Sequence, residues 1–287
     1  MKSIYKNEKG KTEIIDLYNK QLQKLGVIYK DIYVDTSFGK THLIETGNLN
    51  GKPLLVFHGG NSTTAYNLLF CDFLLEDFHI YAVDTIGHPG KSAEVSLSSK
   101  NQDYGKWASE VITGIGYEKI ACFGGSFGAG VLVKTMCVSP QLIERSALLV
   151  PSAICNAPAY KSMNMLAPMI LYWITHKRSW FIRCILPMAI TEENILDDII
   201  DTAKCSIDNA KIKTGMPSNE SDESLSRYKG PVLIMSAEKD CLFPGQMVIE
   251  RAKKIWKHAN TYLLKDRGHI HVLTEEEKNM LKDFLLG

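Results

Sequence analysis

The sequence predicts an α/β domain: a mostly parallel sheet covered by helices on both faces and interrupted by one helical insertion. Short apolar runs, rather than alternating ones, recur along the chain, as expected of strands buried on both faces. Most are separated by segments of helical periodicity. The rhythm stops between Pro151 and Lys229, where no strand pattern is found.

Residues 11–25 place Ile14, Ile15, Leu17, Leu22 and Leu25 at helical spacing and predict a leading amphipathic helix. Ile28 to Val34 and Thr41 to Glu45 read as two strands around the turn Ser37-Phe38-Gly39-Lys40. The buried runs follow: Pro53 to Phe57, Ile80 to Val83, Ile120 to Phe123, Ala147 to Val150, Val232 to Met235 and a weaker Tyr262 to Leu264. Helices are predicted over 65–76, 101–116, 127–138, 245–257 and 274–286. A gap of roughly 75 residues needs structure of its own. The chain therefore divides into a core, 1–151 and 230–287, and a helical cap, 152–229. An insertion at the C-terminal ends of strands lies over the crevice where open α/β sheets bind ligands.

Composition narrows the function classes. The 287 residues carry 33 Lys and Arg against 32 Asp and Glu, a net charge of +1, with 45% hydrophobic and 23% charged residues. That balance suits a globular domain and supplies no basic face for nucleic acid. Seven cysteines, none in a C-x-x-C arrangement, argue against a zinc site and a disulfide framework. Met1 to Glu8 is basic, but no apolar segment of a signal peptide follows it. The longest apolar run, Met165 to Ile174, is too short to span a bilayer and contains Pro168. The expectation is a cytoplasmic protein without a membrane span; the oligomeric state is left open.

The chemistry concentrates in four places. Gly124-Gly125-Ser126-Phe127-Gly128 fits G-x-S-x-G, with an apolar strand before it and a helix after it. A sharp strand-to-helix turn holds such a serine out at its tip, and neighbours two residues away need to lack a Cβ. The helix that starts there favours developing negative charge. His58-Gly59-Gly60-Asn61 follows another strand, and a backbone N–H here can complete an oxyanion hole with that of Phe127. Gly60 is the preferred donor and Asn61 the second; His58 reads as an organiser of the loop. Asp240, in the loop after Val232 to Met235, and His269, after Arg267-Gly268, supply a carboxylate and an imidazole. The order Ser126, Asp240, His269 places each group just past a strand, so a parallel sheet gathers them at one edge. His271 competes with His269, and Glu238 with Asp240. Gly268 offers the tight turn that favours His269.

On these residues the sequence resembles the α/β-hydrolase fold superfamily, from about residue 28 onward, and looks most like hydrolases with a helical cap after the sixth strand. Asp84-Thr85-Ile86-Gly87-His88-Pro89-Gly90-Lys91-Ser92 is similar to the superfamily's D-x-x-G-x-G-x-S loop, with Pro89 as one extra residue. The resemblance implies Ser126 as nucleophile, His269 as base, Asp240 as acid, and Gly60 and Phe127 as oxyanion donors. It implies no metal or organic cofactor and names no substrate. The expected activity is carboxylesterase-like: cleavage of a small, largely apolar ester through an acyl-enzyme. An aminopeptidase or amidase, a carbon–carbon bond hydrolase, and a weakly catalytic ligand receptor are the alternatives.

Other patterns carry less. Gly90-Lys91-Ser92 lacks the glycine a phosphate loop needs at position 85, and Val133 breaks a dinucleotide fingerprint at the elbow. His269-x-His271 has no flanking carboxylate spacing for a metal. Arg251, Lys253, Lys254 and Lys257 read as a solvated helix end. Met163, Met165, Met169, Tyr172, Trp173, Trp180 and Phe181 either line an apolar pocket or form the cap's own core. Glu192, Glu193, Asp197, Asp198 and Asp201 either meet a cationic substrate or begin a water-facing helix after N-cap Thr191.

Overall fold

The computed structural model describes residues 3–287. The first two residues of the N-terminal stretch considered above, Met1 and Lys2, lie outside them. Helix α1 (Glu8–Leu25) begins earlier than periodicity alone indicates, because the Asn7 side chain caps it by accepting from Gly10 N–H. It buries Ile14, Tyr18 and Leu22, four residues apart, and ends at Gly26 in the left-handed conformation. Strands β1 (Tyr29–Thr36) and β2 (Gly39–Gly47) form an antiparallel hairpin. Then come β3 (Lys52–Phe57), α2 (Thr64–Phe70), β4 (Phe78–Val83), α3 (Asp103–Gly114), β5 (Ile120–Gly125), α4 (Phe127–Val138) and β6 (Ile143–Leu149).

Between β6 and the next strand lie α5 (Leu166–Thr175), α6 (Arg178–Ala189), α7 (Asp197–Asn209) and the single turn α8 (Asp222–Leu225). Pro168 does not interrupt the apolar run as a helix breaker would. It is the third residue of α5, where the backbone N–H has no partner within the helix. The chain closes with β7 (Val232–Ala237), α9 (Gly245–Ile255), β8 (Asn260–Leu264) and α10 (Glu275–Leu286). A Thr274–Glu277 capping box starts that last helix.

All eight strands form one sheet in the order β1-β2-β4-β3-β5-β6-β7-β8. β2 pairs antiparallel with β1 and β4, and every other pairing is parallel. Each face of the sheet carries its own apolar layer. Trp107, Phe127, Tyr104 and Trp256 dominate one, and Tyr18, Phe78, Leu281 and Leu285 the other. Truncating a side chain such as Trp107 to alanine costs about 3–5 kcal/mol at such a position. The helices between β6 and β7 keep a separate core around Tyr172, Phe181, Ile185 and Ile200.

Two clusters tie these helices to the sheet. Helix α4 is buried along nearly its whole length, including Lys134, whose ammonium meets Glu220 at 2.5 Å. Gln102 donates to the other Glu220 oxygen at 2.7 Å. Arg251 is not a solvated helix-end cation. It donates to the carbonyls of Ile154 and Glu220 and to Asp222, pinning the returning chain to α9. Lys253, Lys254 and Lys257 remain exposed.

Candidate active site

Ser126 stands between β5 and α4 with φ 53° and ψ −113°, a conformation that L-residues rarely adopt. The turn closes only because its flanking glycines lack side chains. A Cβ on Gly128 would lie 2.4 Å from the Phe57 carbonyl oxygen, and one on Gly124 would lie 2.7 Å from the Gly128 carbonyl carbon. The serine hydroxyl does not cap its helix and is left to other partners.

Its partner is His269, whose Nε2 lies 2.9 Å from Ser126 Oγ. On the other side of the ring, His269 Nδ1 lies 2.8 Å from Asp240 Oδ2. A carboxylate only accepts, so Nδ1–H donates to Asp240 and Nε2 is left to accept from the serine hydroxyl. Asp240 is buried and its second oxygen is satisfied as well: Oδ1 accepts from the backbone N–H groups of Leu242 at 2.7 Å and Phe243 at 3.0 Å. The Phe243 ring meets the imidazole edge-on, with centroids 5.3 Å apart.

The competing residues have other occupations. Glu238 accepts from Asp266 N–H. His271 donates from Nδ1 to the Gly268 carbonyl, and burial lowers its pKa to about 4. Gly268 is needed for a different reason from the one its place in a turn suggests. It has no positive φ; instead a Cβ there would lie 2.1 Å from the Met188 carbonyl oxygen at the end of α6. Ile270 N–H donates to that same oxygen at 2.9 Å, so the His269 loop is stitched to α6 through backbone.

The loop after β3 sits beside the elbow. A Cβ on Gly60 would lie 3.6 Å from the Phe127 Cβ, and one on Gly59 would lie 3.7 Å from the Ser126 Cβ. The backbone N–H groups of Gly60 and Phe127 have no hydrogen-bond partner among the described residues. Asn61 follows with φ 51°. His58 organises this loop: Nδ1–H donates to the Gly59 carbonyl, while Nε2 accepts from Thr85 N–H at 3.1 Å. Burial lowers its pKa, consistent with a neutral ring. His88 packs between His58 and Phe127, and burial lowers its pKa to about 3.

The Asp84–Ser92 loop is anchored by a network that sequence reading did not anticipate. Buried Asp84 faces His42 Nδ1 at 2.7 Å, and His42 Nε2 in turn faces Asp31 at 2.7 Å. Burial opposes ionisation of Asp84, but the His42 contact and the Lys91 N–H donor outweigh it and hold its pKa low. Gly90 must pass this carboxylate: a Cβ there would lie 2.7 Å from the Asp84 Cγ.

Ser126 and His269 open onto a cavity of about 710 Å³. Its walls are mostly apolar: Leu69, Phe70 and Leu273 from the sheet side, and Met165, Met169, Phe181, Met188 and Ile207 from α5 to α7 and their connections. The aromatic and methionine residues between β6 and β7 thus divide. Met165, Met169 and Phe181 line the cavity, Tyr172 and Trp180 belong to the separate core of these helices, and Met163 and Trp173 are exposed. None of the five acidic residues lines it. Thr191 also fails to start a helix. It precedes a 3-10 turn, Glu192–Asn194; Ile195 then dips into that separate core, and α7 begins after Leu196. Among the described residues, no group of three or more His, Cys, Asp or Glu side chains is placed to hold a metal ion.

An eight-stranded, mostly parallel sheet with a strained serine at the end of its central strand defines the α/β-hydrolase fold. No protein-family model matches the chain. A curated protein of Bacillus subtilis (strain 168), "Carboxylesterase YbfK", is 26% identical over 280 residues, covering 94% of this chain and 92% of that protein. "Uncharacterized carboxylesterase nap" of the same organism is 25% identical over 265 residues, covering 88% and 85%. The crystal structure of a naproxen esterase from Bacillus subtilis superposes with a TM-score of 0.82 at 19% identity, covering 97% of this chain and 99% of that one. The chain has the α/β-hydrolase fold and is similar over most of its length to these carboxylesterases.

Proposed function

We propose that Ser126, His269 and Asp240 hydrolyse a small-molecule carboxylic ester with an apolar acyl or aryl group. Ser126 Oγ attacks the ester carbonyl while His269 Nε2 takes its proton. The N–H groups of Gly60 and Phe127 hold the resulting oxyanion, at the N-terminus of α4. The tetrahedral intermediate collapses, the C–O bond breaks, and His269 returns the proton to the departing alcohol. Water activated by the same imidazole then attacks the acyl-enzyme and releases the acid. Asp240 keeps Nδ1 protonated and offsets the charge of the imidazolium.

The observation that carries this reading is the unbroken hydrogen-bond line from Ser126 Oγ through His269 to Asp240, at 2.9 and 2.8 Å. The two unpaired N–H groups beside the serine and the apolar cavity around it support the oxyanion and acyl sites. A cavity of this volume suits a drug-sized ligand. In this reading residues 152–229 act as a cap over a catalytic core of 1–151 and 230–287. All seven cysteines are free thiols, which supports a cytoplasmic setting. None of the five acids between Glu192 and Asp201 reaches the cavity wall, whose one carboxylate is Asp72, which disfavours an aminopeptidase that would use those five.

The test is a p-nitrophenyl ester panel of increasing acyl length, with wild type and Ser126→Ala. The expected result is turnover that peaks at a medium or bulky acyl group and falls on the order of 10⁶-fold in the variant. Equal turnover by the variant, or turnover of amino-acid arylamides but not of esters, would overturn the proposal.

A further inference from the structure

The outer face of α5 has no covering partner. Leu166 (55% exposed), Ile170 (44%), Trp173 (54%) and Ile174 (72%) recur at helical spacing and form one apolar stripe. Tyr172, on the opposite side, is the helix's buried residue. With Leu171 at the side of the stripe, five exposed large apolar residues on ten residues of helix exceed the scattered single exposures of an ordinary surface. The charge around the stripe has one sign. No Asp or Glu occurs from Pro151 to Thr191, whereas Lys161, Lys177, Arg178 and Arg183 do. The acids of neighbouring α7 are engaged: Asp197 and Asp201 pair with Arg178, Asp198 with Lys24, and Asp208 with Lys204 and the Tyr172 hydroxyl. Lys161 and Lys177, before and after α5 in the chain, and Arg183 on the adjoining α6 are exposed.

We propose that this face of α5 docks on a lipid bilayer bearing anionic headgroups, lying in the interface rather than crossing it. The helix has the parts such a contact needs: branched apolar side chains to enter the acyl boundary, a tryptophan at its edge, and cations flanking them. It is far too short to span a membrane, and none of the described helices is long and apolar enough to do so. Its position gives the contact a consequence. Leu166 is both exposed on the stripe and part of the cavity wall, and Met165 and Met169 of the same segment line the cavity. A bilayer against α5 lies on the other side of this cavity wall, which gives an apolar ester partitioned into lipid a short path to the site. A protein surface is a weaker match, because the stripe lacks the mixture of charges that would fix a partner's orientation.

The full-length Ser126→Ala chain, which leaves lipid intact under the reading above, is mixed with vesicles of phosphatidylcholine alone or with phosphatidylglycerol. Expected are co-sedimentation with the anionic vesicles, at least roughly tenfold weaker binding to neutral ones, and a blue shift of tryptophan emission that Trp173→Phe removes. Ile170→Ser with Ile174→Ser, or Lys177→Glu alone, weakens sedimentation; the double variant does so roughly tenfold. In the catalytically intact background the same substitutions leave turnover of a water-soluble acetate ester unchanged. No binding to either vesicle, equal binding to both, or binding unaffected by the double variant overturns the proposal. So does light scattering that finds a dimer dissociated by the double variant, which would assign the stripe to a second copy. Binding is read without catalysis, so its failure is separable from failure of the esterase reading.

Discussion

At Asp240 the two carboxylate oxygens divide their work. Oδ1 is held by two backbone N–H donors, and Oδ2 is thereby aimed at His269 Nδ1. The imidazole is thus fixed in one tautomer before any substrate arrives, which is preorganisation rather than adjustment during the reaction. Asp240→Asn keeps the volume but presents an amide that can donate to Nδ1, favouring the tautomer that leaves Nε2 protonated and unable to accept from Ser126. The expected loss is on the order of 10⁴-fold in kcat, with an unchanged melting temperature. Steady-state kinetics on an activated ester check it. A loss under tenfold would remove Asp240 from the role assigned to it.

Among elements, the decisive contacts are backbone to backbone, and they explain what was readable in advance. The central strands were legible because both sheet faces are buried there, so each appears as an apolar run between turn residues, whereas exposed β1 was read from its hairpin turn with β2. The elbow was legible because Gly124 and Gly128 stand where no Cβ fits. Sequence favoured His269 over His271 and Asp240 over Glu238, but by turn placement alone, since a one-dimensional spacing does not say which way a loop turns its side chains. The reason for Gly268 was hidden for a related cause: its obstacle, the Met188 carbonyl, lies 80 residues away on α6. Arg251 was misread because its acceptors come from distant segments. Lys134 did carry a signal, a lone cation in a helix of otherwise apolar and small residues, and Glu220 is its answer. Gly268→Ala tests the stitch between α6 and the histidine loop. The added methyl forces these elements apart, costing about 1–3 kcal/mol of stability and up to roughly 10²-fold in kcat/KM through misplacement of His269. Thermal melts and kinetics with wild-type values would show that the contact yields freely.

For the molecule as a whole, buried neutral histidines set a pH limit on stability. Burial lowers the pKa of His88 to about 3 and of His271 to about 4, from an ordinary 6.5, and also lowers that of His58. In the unfolded chain these rings bind protons below about pH 6.5, whereas in the folded chain they do not until far lower. The unfolded state therefore binds more protons in this window, and stability falls as pH falls from about 6.5 toward 4, by on the order of 1 kcal/mol per pH unit for His88 and for His271, with His58 acting in the same direction. Carboxylates away from full exposure whose pKa values are lowered, Asp31, Asp84 and Glu94, add their losses only below about pH 4.5. Urea unfolding at pH 7, 6 and 5 should give a steadily falling midpoint, with a shallower slope for His88→Gln. A flat profile would mean that these rings are charged in the folded protein.

The central claim is that one serine, raised by the central strand into an apolar cavity, forms the bond to substrate. Its most direct measurement is peptide mapping by mass spectrometry after reaction with a fluorophosphonate, on wild type and on Ser126→Ala. The account predicts one phosphonylated residue, Ser126, and no adduct in the variant. Stoichiometric labelling at another residue, or full labelling of the variant, would contradict it.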